Sequence, residues 1–193
     1  MRVISGSAKG RVLKAVPGTS TRPTTDKVKE AIFSIVGPYF TEGYVLDLFA
    51  GTGALGIEAL SRGMEQAVFI DQDHMSIATI KANLSSAGFA HQAEVYRNDA
   101  MRALKVLSKR QLTFDLIFVD PPYRFKQIPE WVNAIQSYQL MTPNTQVVVE
   151  HDAEDVLEAC IGELVQIRKA LYGDTAITIY ACLPQGTGGE SVD

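Results

Sequence analysis

The sequence predicts an α/β fold: a Rossmann-like, mostly parallel seven-stranded sheet with an antiparallel edge hairpin, plus a small β-hairpin at the N-terminus. Three observations predict it. From Val45 onward, short apolar runs alternate five times with helix-patterned segments, which implies right-handed crossovers and a parallel sheet covered on both faces. The alternation then stops, and two strand-like runs, Leu164–Leu171 and Ala176–Leu183, meet through Tyr172-Gly173-Asp174-Thr175, a hairpin signal. Finally, the first strand of the series runs into a glycine-rich turn that opens a helix.

The elements follow in order. Val3-Ile4-Ser5 and Val12-Leu13-Lys14-Ala15 flank a Gly-Ser-Ala-Lys-Gly-Arg stretch and read as the N-terminal hairpin. Residues 17–25 are loop. Thr24, Thr25 and Asp26 offer capping oxygens to a helix whose apolar positions, Val28, Ala31, Ile32, Ile35 and Val36, keep helical spacing until Gly37-Pro38. Strands are expected at Val45–Phe49, Ala67–Ile70, Ala93–Tyr96, Leu116–Val119 and Val147–Glu150. The intervening helices run to Leu60, then over Met75–Ala87, Met101–Ser108 and Pro129–Tyr138, and a last one is expected near Ala153–Gly162. This divides the chain into a basic hairpin extension (1–20), a main domain (21–184) and a flexible tail (185–193) with a glycine-rich start.

Composition narrows the classes. With 193 residues, 46% of them hydrophobic, the chain can bury one full core. No apolar run reaches 18 residues and the N-terminus lacks a signal-peptide pattern, so a cytoplasmic protein without a membrane span is expected. Cys160 and Cys182 sit in apolar stretches and read as reduced core thiols. His74, His91 and His151 lack ligand spacing, so no metal is expected. The net charge of −4 argues against a nucleic-acid binder, but its distribution is uneven. Residues 1–30 hold seven basic side chains (Arg2, Lys9, Arg11, Lys14, Arg22, Lys27, Lys29) against Asp26 and Glu30. This is either a basic arm on an acidic body or a solvated surface.

The glycine turn, "DLFAGTGALG" from Asp47 to Gly56, has the strand-to-helix setting of a nucleotide-binding fingerprint. Asp71 closes the next strand, where a carboxylate can accept ribose hydroxyls, so a dinucleotide must be considered. A dinucleotide, however, brings a pyrophosphate to the helix N-terminus, and Asp47 would repel it. S-adenosyl-L-methionine (AdoMet) carries an ammonium, a sulfonium and an adenosine, and no phosphate. Asp99, after the third strand, is placed for the adenine amine. Three acids after three successive strands suit AdoMet better than a dinucleotide; acids merely solvated at strand ends are the bland alternative.

A second motif, "FDLIFVDPPYRF", ends the fourth strand. Its apolar run implies burial on both faces, and the prolines must stop the strand. Asp120 and the Pro121 carbonyl could each accept one N–H of an exocyclic base amine, orienting it and favouring the pyramidal nitrogen of a transition state. Pro121 and Pro122 stiffen the turn. Tyr123 could stack on the base. The plain reading is a proline turn with Tyr123 packed locally; the glycine loop in the same sheet favours the chemical one.

Taken together, "RPTTDKVKEAIFSI", "VLDLFAGTGALGIEALSRG", "DPPY" and "YGDTAITIY" resemble the bacterial 16S rRNA guanine-N2 methyltransferase family, which modifies guanine 966 of the small-subunit RNA. The resemblance runs from about Arg2 to Tyr180 and implies a class I AdoMet-dependent methyltransferase acting in ribosome maturation. It implies AdoMet bound by Asp47, Phe49, Gly51, Gly53, Asp71 and Asp99, and the target base held by Asp120, Pro121, Pro122 and Tyr123. It also places Arg2, Lys9, Arg11, Arg22 and Thr24 toward 16S rRNA, within a small-subunit particle, with no obligate protein partner. The low net charge departs from what an RNA enzyme leads one to expect. Rival readings are a DNA adenine-N6 methyltransferase, for which the chain leaves no target-recognition region, a protein-glutamine methyltransferase, and a non-catalytic AdoMet-binding RNA-assembly module.

Overall fold

A computed structural model describes residues 1–18, 25–122 and 127–183. Helix α1 (Asp26–Val36) precedes the alternating series β1 (Tyr44–Asp47), α2 (Ala54–Ser61), β2 (Gln66–Asp71), α3 (His74–Ala87), β3 (Ala93–Arg97), α4 (Ala100–Lys109), β4 (Phe114–Val119), α5 (Ile128–Ser137) and β5 (Met141–Asp152). Three further strands, β6 (Cys160–Ile161), β7 (Leu164–Tyr172) and β8 (Thr175–Cys182), complete one sheet of order β3-β2-β1-β4-β5-β8-β7-β6. Pairing is parallel from β3 to β5 and antiparallel beyond. The mostly parallel sheet with an antiparallel edge is therefore as the sequence predicts, with two-residue β6 as an eighth strand that the pattern did not reveal.

Alternation along each strand builds two apolar layers. Val45, Phe69, Leu116, Phe118 and Val148 face α1, α2 and α3, and Leu46, Val68, Ile117, Val119 and Val149 face α4 and α5. Three helices start on side-chain caps: Thr25 accepts from Val28 N (3.3 Å), Asp73 from Ser76 N (2.8 Å) and Asp99 from Arg102 N (3.2 Å). The one acid inside β4, Asp115, is satisfied by Tyr44 N (2.9 Å) and Thr142 Oγ1 (3.0 Å), which lets it interrupt a buried strand.

The N-terminal segment folds back on itself through a single bridge, Arg2 with Val12, backed by Val3 N to Arg11 O (2.9 Å) and Leu13 N to Met1 O (3.0 Å). Its Val3 and Leu13 are buried in the same layer as α1 and α2. A buried charge network fastens it. Glu58, on α2, accepts from Ile4 N (2.8 Å), Ser5 N (2.9 Å) and Arg62 Nε (2.9 Å). Lys29 Nζ lies 3.7 Å from Glu58 and donates to the Arg2 carbonyl. Burial holds the Lys29 ammonium below its ordinary pKa, against the pull of Glu58 and Asp26. Removing one partner would strand a buried charge, a strongly destabilising change.

Three expectations need correction. No helix forms over residues 153–162. Instead β5 continues to Asp152, whose carboxylate caps a turn at Glu154 N (2.9 Å), and the chain then enters β6. Ala153, Val156, Leu157 and Cys160 would share one helical face, but Glu154 and Glu158 would repel each other at i,i+4 spacing. The chain instead leaves Val156 90% exposed and pairs Cys160 and Ile161 with β7. Cys160 is exposed and Cys182 half-exposed, both free thiols and neither in the core. Lys29, counted with the basic arm, is fully buried and adds nothing to the surface charge. The tail expected at 185–193 lies outside the described residues.

Candidate active site

The order of the sheet places β1 between β2 and β4, so the chain reverses direction across the sheet at β1/β4, where doubly wound folds bind ligands beyond the strands' carboxyl ends. The segment after β1 is anchored on both sides: Leu48 N donates to Phe118 O (3.1 Å) and Ala50 N to Ile70 O (2.9 Å). The chain then turns tightly, with Gly53 N on Ala50 O at 2.6 Å and positive φ at Gly51 (+54°) and Gly53 (+79°). The glycines differ in what surrounds them. A Cβ at Gly51 would meet nothing within 4 Å, so this backbone faces open space. A Cβ at Gly56, inside α2, would lie 2.3 Å from the Phe69 ring, so this glycine lets helix and sheet close up.

The acids line up across the strand ends. Asp71, at the end of β2, accepts Gly51 N (2.8 Å) on one oxygen and Asp73 N (2.9 Å) on the other. It thus shapes the loop, and each oxygen keeps a lone pair for a ligand hydroxyl. Asp47, at the end of β1, is buried and accepts Gly56 N (3.0 Å). Burial pushes its carboxyl up to about 7, against the Gly56 bond, and the neighbouring Asp71 adds to the rise. Asp99 is exposed as the cap of α4, two residues beyond β3, and Asn98 N on Asp71 O (3.0 Å) draws that turn toward β2.

Asp120 stands at the carboxyl end of β4. Register pairs Asp47 with Phe118 and Val119 with Val149, so Glu150 follows on β5 where Asp120 follows on β4. Positions two apart share a face, which puts Asp47, Asp120 and Glu150 on one side of the sheet. Burial, Glu150 and then Asp47 lift the Asp120 carboxyl well above the usual carboxylate range. Pro121 is buried and Pro122 exposed. The structure therefore brings Asp47, Gly51, Gly53, Asp71 and Asp120 to one end of the sheet.

Other predicted residues fall elsewhere or further out. Phe49 is half-buried, its ring edge-on to Trp131 of α5 at 4.6 Å. Lys9 and Arg11 are exposed on the N-terminal arm, and exposed Arg2 pairs with Asp26 (3.1 Å). Arg22, Thr24 and Tyr123 lie outside the described residues. Among the described residues, no group of His, Cys, Asp and Glu could hold a metal ion. A cavity of about 580 Å³ opens at the opposite end of the sheet, beside Gly43, Tyr44 and Asp115, and is no part of this site.

Two polar residues escaped the sequence reading. Glu150 closes the run Val147–Val149 with an acid, the same signal that Asp47, Asp71 and Asp120 give, and its weight went unread. Asn83, fully buried on α3, bonds to both the arm and the glycine loop; the sequence shows only a polar residue between Ile80 and Leu84.

Residues 1–181 match the family described as "Conserved hypothetical protein 95". The chain belongs to this family. Among its relatives is the Bacillus subtilis (strain 168) protein named "Putative rRNA methyltransferase YlbH", 54% identical over 180 residues, which are 93% of this chain and 98% of that one. Another is "Ribosomal RNA small subunit methyltransferase D" of Escherichia coli (strain K12), 31% identical over 96% of this chain and 92% of its own. The solved structure named "Putative methyltransferase yhhF from Escherichia coli" superposes with a TM-score of 0.80 at 31% identity, covering 93% of this chain and 96% of that one. The family's fold is thus the methyltransferase α/β sheet described above.

Proposed function

We propose that the protein is an rRNA methyltransferase that moves the methyl group of AdoMet to the exocyclic N2 of a guanine in small-subunit ribosomal RNA. The observation that carries the reading is the row of carboxyl groups flanking an open glycine loop, with Asp120-Pro121-Pro122 on the adjacent strand, in a chain whose relatives are named rRNA methyltransferases.

The residues fit AdoMet. The open side of Gly51 admits a ligand against the backbone. Asp47, buried and bonded to the Gly56 amide, is suited to a ligand that brings positive charge. Asp71 and Asp99 present acceptors further along the same edge, for ribose hydroxyls and the adenine amine. Phe49 would contribute apolar surface. AdoMet, when bound, supplies an electrophilic methyl group on a sulfonium.

The chain's own part is to hold the amine. Asp120 and the Pro121 carbonyl accept its two N–H bonds, so that the nitrogen lone pair points toward the donor and is drawn out of conjugation. Asp120 then takes the proton that the methylated nitrogen releases. Pro121 and Pro122 keep the turn from shifting during the reaction. Tyr123 would stack on the base. Exposed Lys9 and Arg11, with Arg2, would meet RNA phosphates, and Arg22 and Thr24 would line the path to the cofactor. Guanine 966, a small-subunit particle as substrate and a cytoplasmic location complete the reading.

Labelled AdoMet incubated with rRNA from cells lacking the protein, as naked RNA and as small-subunit particles, tests it. Label on N2 of one guanine is expected, more strongly in the small-subunit particles. Absence of label from both forms would overturn the proposal.

A further inference from the structure

Asn83 makes three hydrogen bonds, and they join parts of the chain that are remote in sequence. Its Oδ1 accepts Lys14 N at 2.8 Å, and its Nδ2 donates to Lys14 O (3.1 Å) and Thr52 O (2.9 Å). Both amide protons are used, each on a carbonyl, and the oxygen takes an N–H. A flipped amide would aim its oxygen at two carbonyls, so the network fixes the orientation. The side chain is fully buried, where each bond lost would leave a partner unsatisfied.

The two partners belong to different functional parts. Thr52 lies between Gly51 and Gly53, in the turn whose open side faces the proposed cofactor. Lys14 lies at the base of the N-terminal arm, with its own side chain exposed. At its tip the arm is held by Glu58 and by Ser61, whose carbonyl accepts Ser7 N (2.8 Å) and whose hydroxyl accepts Ala8 N (3.0 Å). At its base Asn83 grips both backbone groups of Lys14, so the base of the arm and the glycine turn share one rigid side chain.

We infer that Asn83 is a positioning residue that couples the cofactor loop to the RNA-binding arm, so that a ligand seated on the Gly51–Gly53 turn stiffens the arm and raises affinity for RNA. This rests on the AdoMet and rRNA reading above. Ordering one region lowers the cost of ordering the other, which is positive coupling without a change of fold. Linkage requires the converse: RNA must raise cofactor affinity by the same factor.

Amide hydrogen exchange with and without S-adenosylhomocysteine tests it, using Leu13 N and Val3 N as reporters because their bonds, to Met1 O and Arg11 O, do not involve Asn83. In the native chain, S-adenosylhomocysteine is expected to slow both amides about fivefold or more, at the lower end of typical coupling factors. In Asn83→Ala, protection of Gly53 N by the ligand should persist while the effect on the arm disappears. RNA titrations should agree, with the gain in RNA affinity from S-adenosylhomocysteine lost in the variant. Arm amides indifferent to bound ligand in the native chain would overturn the inference, whatever the variant does. So would an undiminished response in a folded Asn83→Ala. If S-adenosylhomocysteine does not bind at all, the cofactor reading falls and this inference with it; binding without arm protection sinks the inference alone.

Discussion

The carboxylate of Asp71 accepts the amide of Gly51 at 2.8 Å, so the acid that ends β2 also sets the shape of the turn after β1. Asp71 therefore has two duties, holding the loop and offering an acceptor to a ligand. Asp71→Ala should weaken AdoMet by about 1–3 kcal/mol, the range for a lost charge-assisted bond plus an unsatisfied partner. Asp71→Asn can keep the Gly51 bond through its carbonyl oxygen and should lose less. Calorimetric titration of both variants checks this; equal losses would show that loop shape contributes nothing separable.

Gly51 and Gly56 should fail in opposite ways. Gly56→Ala drives a methyl group into the Phe69 ring and should cost about 1–3 kcal/mol of stability, as overpacked cores do. Its cofactor affinity should change little once the protein is folded. Gly51→Ala meets no protein atom, so its cost is the left-handed backbone at φ +54°, about 1–2 kcal/mol. Its methyl group, however, enters the open side of the turn and should cut AdoMet affinity about tenfold or more, equivalent to about 1.4 kcal/mol. Thermal unfolding beside AdoMet titration separates the two.

The sequence made the parallel half of the sheet legible because five strands and four helices each carry their own period and punctuation. The glycine turn and the acids of β1, β2 and β4 were readable for the same reason: strand ends are local. Asn83 and Glu58 were not, because their partners lie 69 and 54 residues away and only folding brings them together. Residues 153–162 were misread because their composition allows a helix. The chain instead gives Cys160 and Ile161 to the edge of β7, a pairing that no local pattern announces, while Glu154 and Glu158 add only a weak i,i+4 repulsion against a helix. Charge counting placed Lys29 with the arm, since a formal count cannot see that Glu58 and Asp26 hold it inside.

Asp47 gives cofactor binding a pH dependence. Its folded carboxyl is pushed up to about 7, so near neutrality the free protein carries it partly protonated. A cationic ligand favours the ionised form and lowers the pKa. Binding should therefore release protons, and AdoMet affinity should rise as pH increases toward and through about 7, then level off. The sign for stability is the reverse. A raised carboxyl pKa means the folded state holds a proton that the unfolded chain has lost, so this group's contribution falls as pH climbs from about 4 to about 7. Calorimetry in buffers of different ionisation enthalpy reads the proton count directly. In Asp47→Asn the release should vanish, and an unchanged release would place it on another group.

Asp120, just past the end of β4, and Glu150, on adjacent β5, lie on one face of the sheet, and the like charge of Glu150, after burial itself, lifts the Asp120 carboxyl. The group that takes the proton from the methylated nitrogen must be ionised, so single-turnover methyl transfer at saturating AdoMet should rise with pH as Asp120 loses its proton. Glu150→Gln removes one like charge, with Asp47 remaining as the other. The Asp120 pKa should then fall, and the acid limb of the pH–rate profile should move to lower pH with the plateau largely kept. Asp120→Asn should behave differently. It cannot take up the proton from the methylated nitrogen, so the limb should flatten and the plateau drop by about 10²–10³, the usual loss for a preorganised polar group at a transition state. RNA affinity should hardly move in either variant, because neither residue is on the arm. A Glu150→Gln profile that superimposes on the native one would mean that the acid limb belongs to a group other than Asp120, and the proton-accepting role would have to be reassigned.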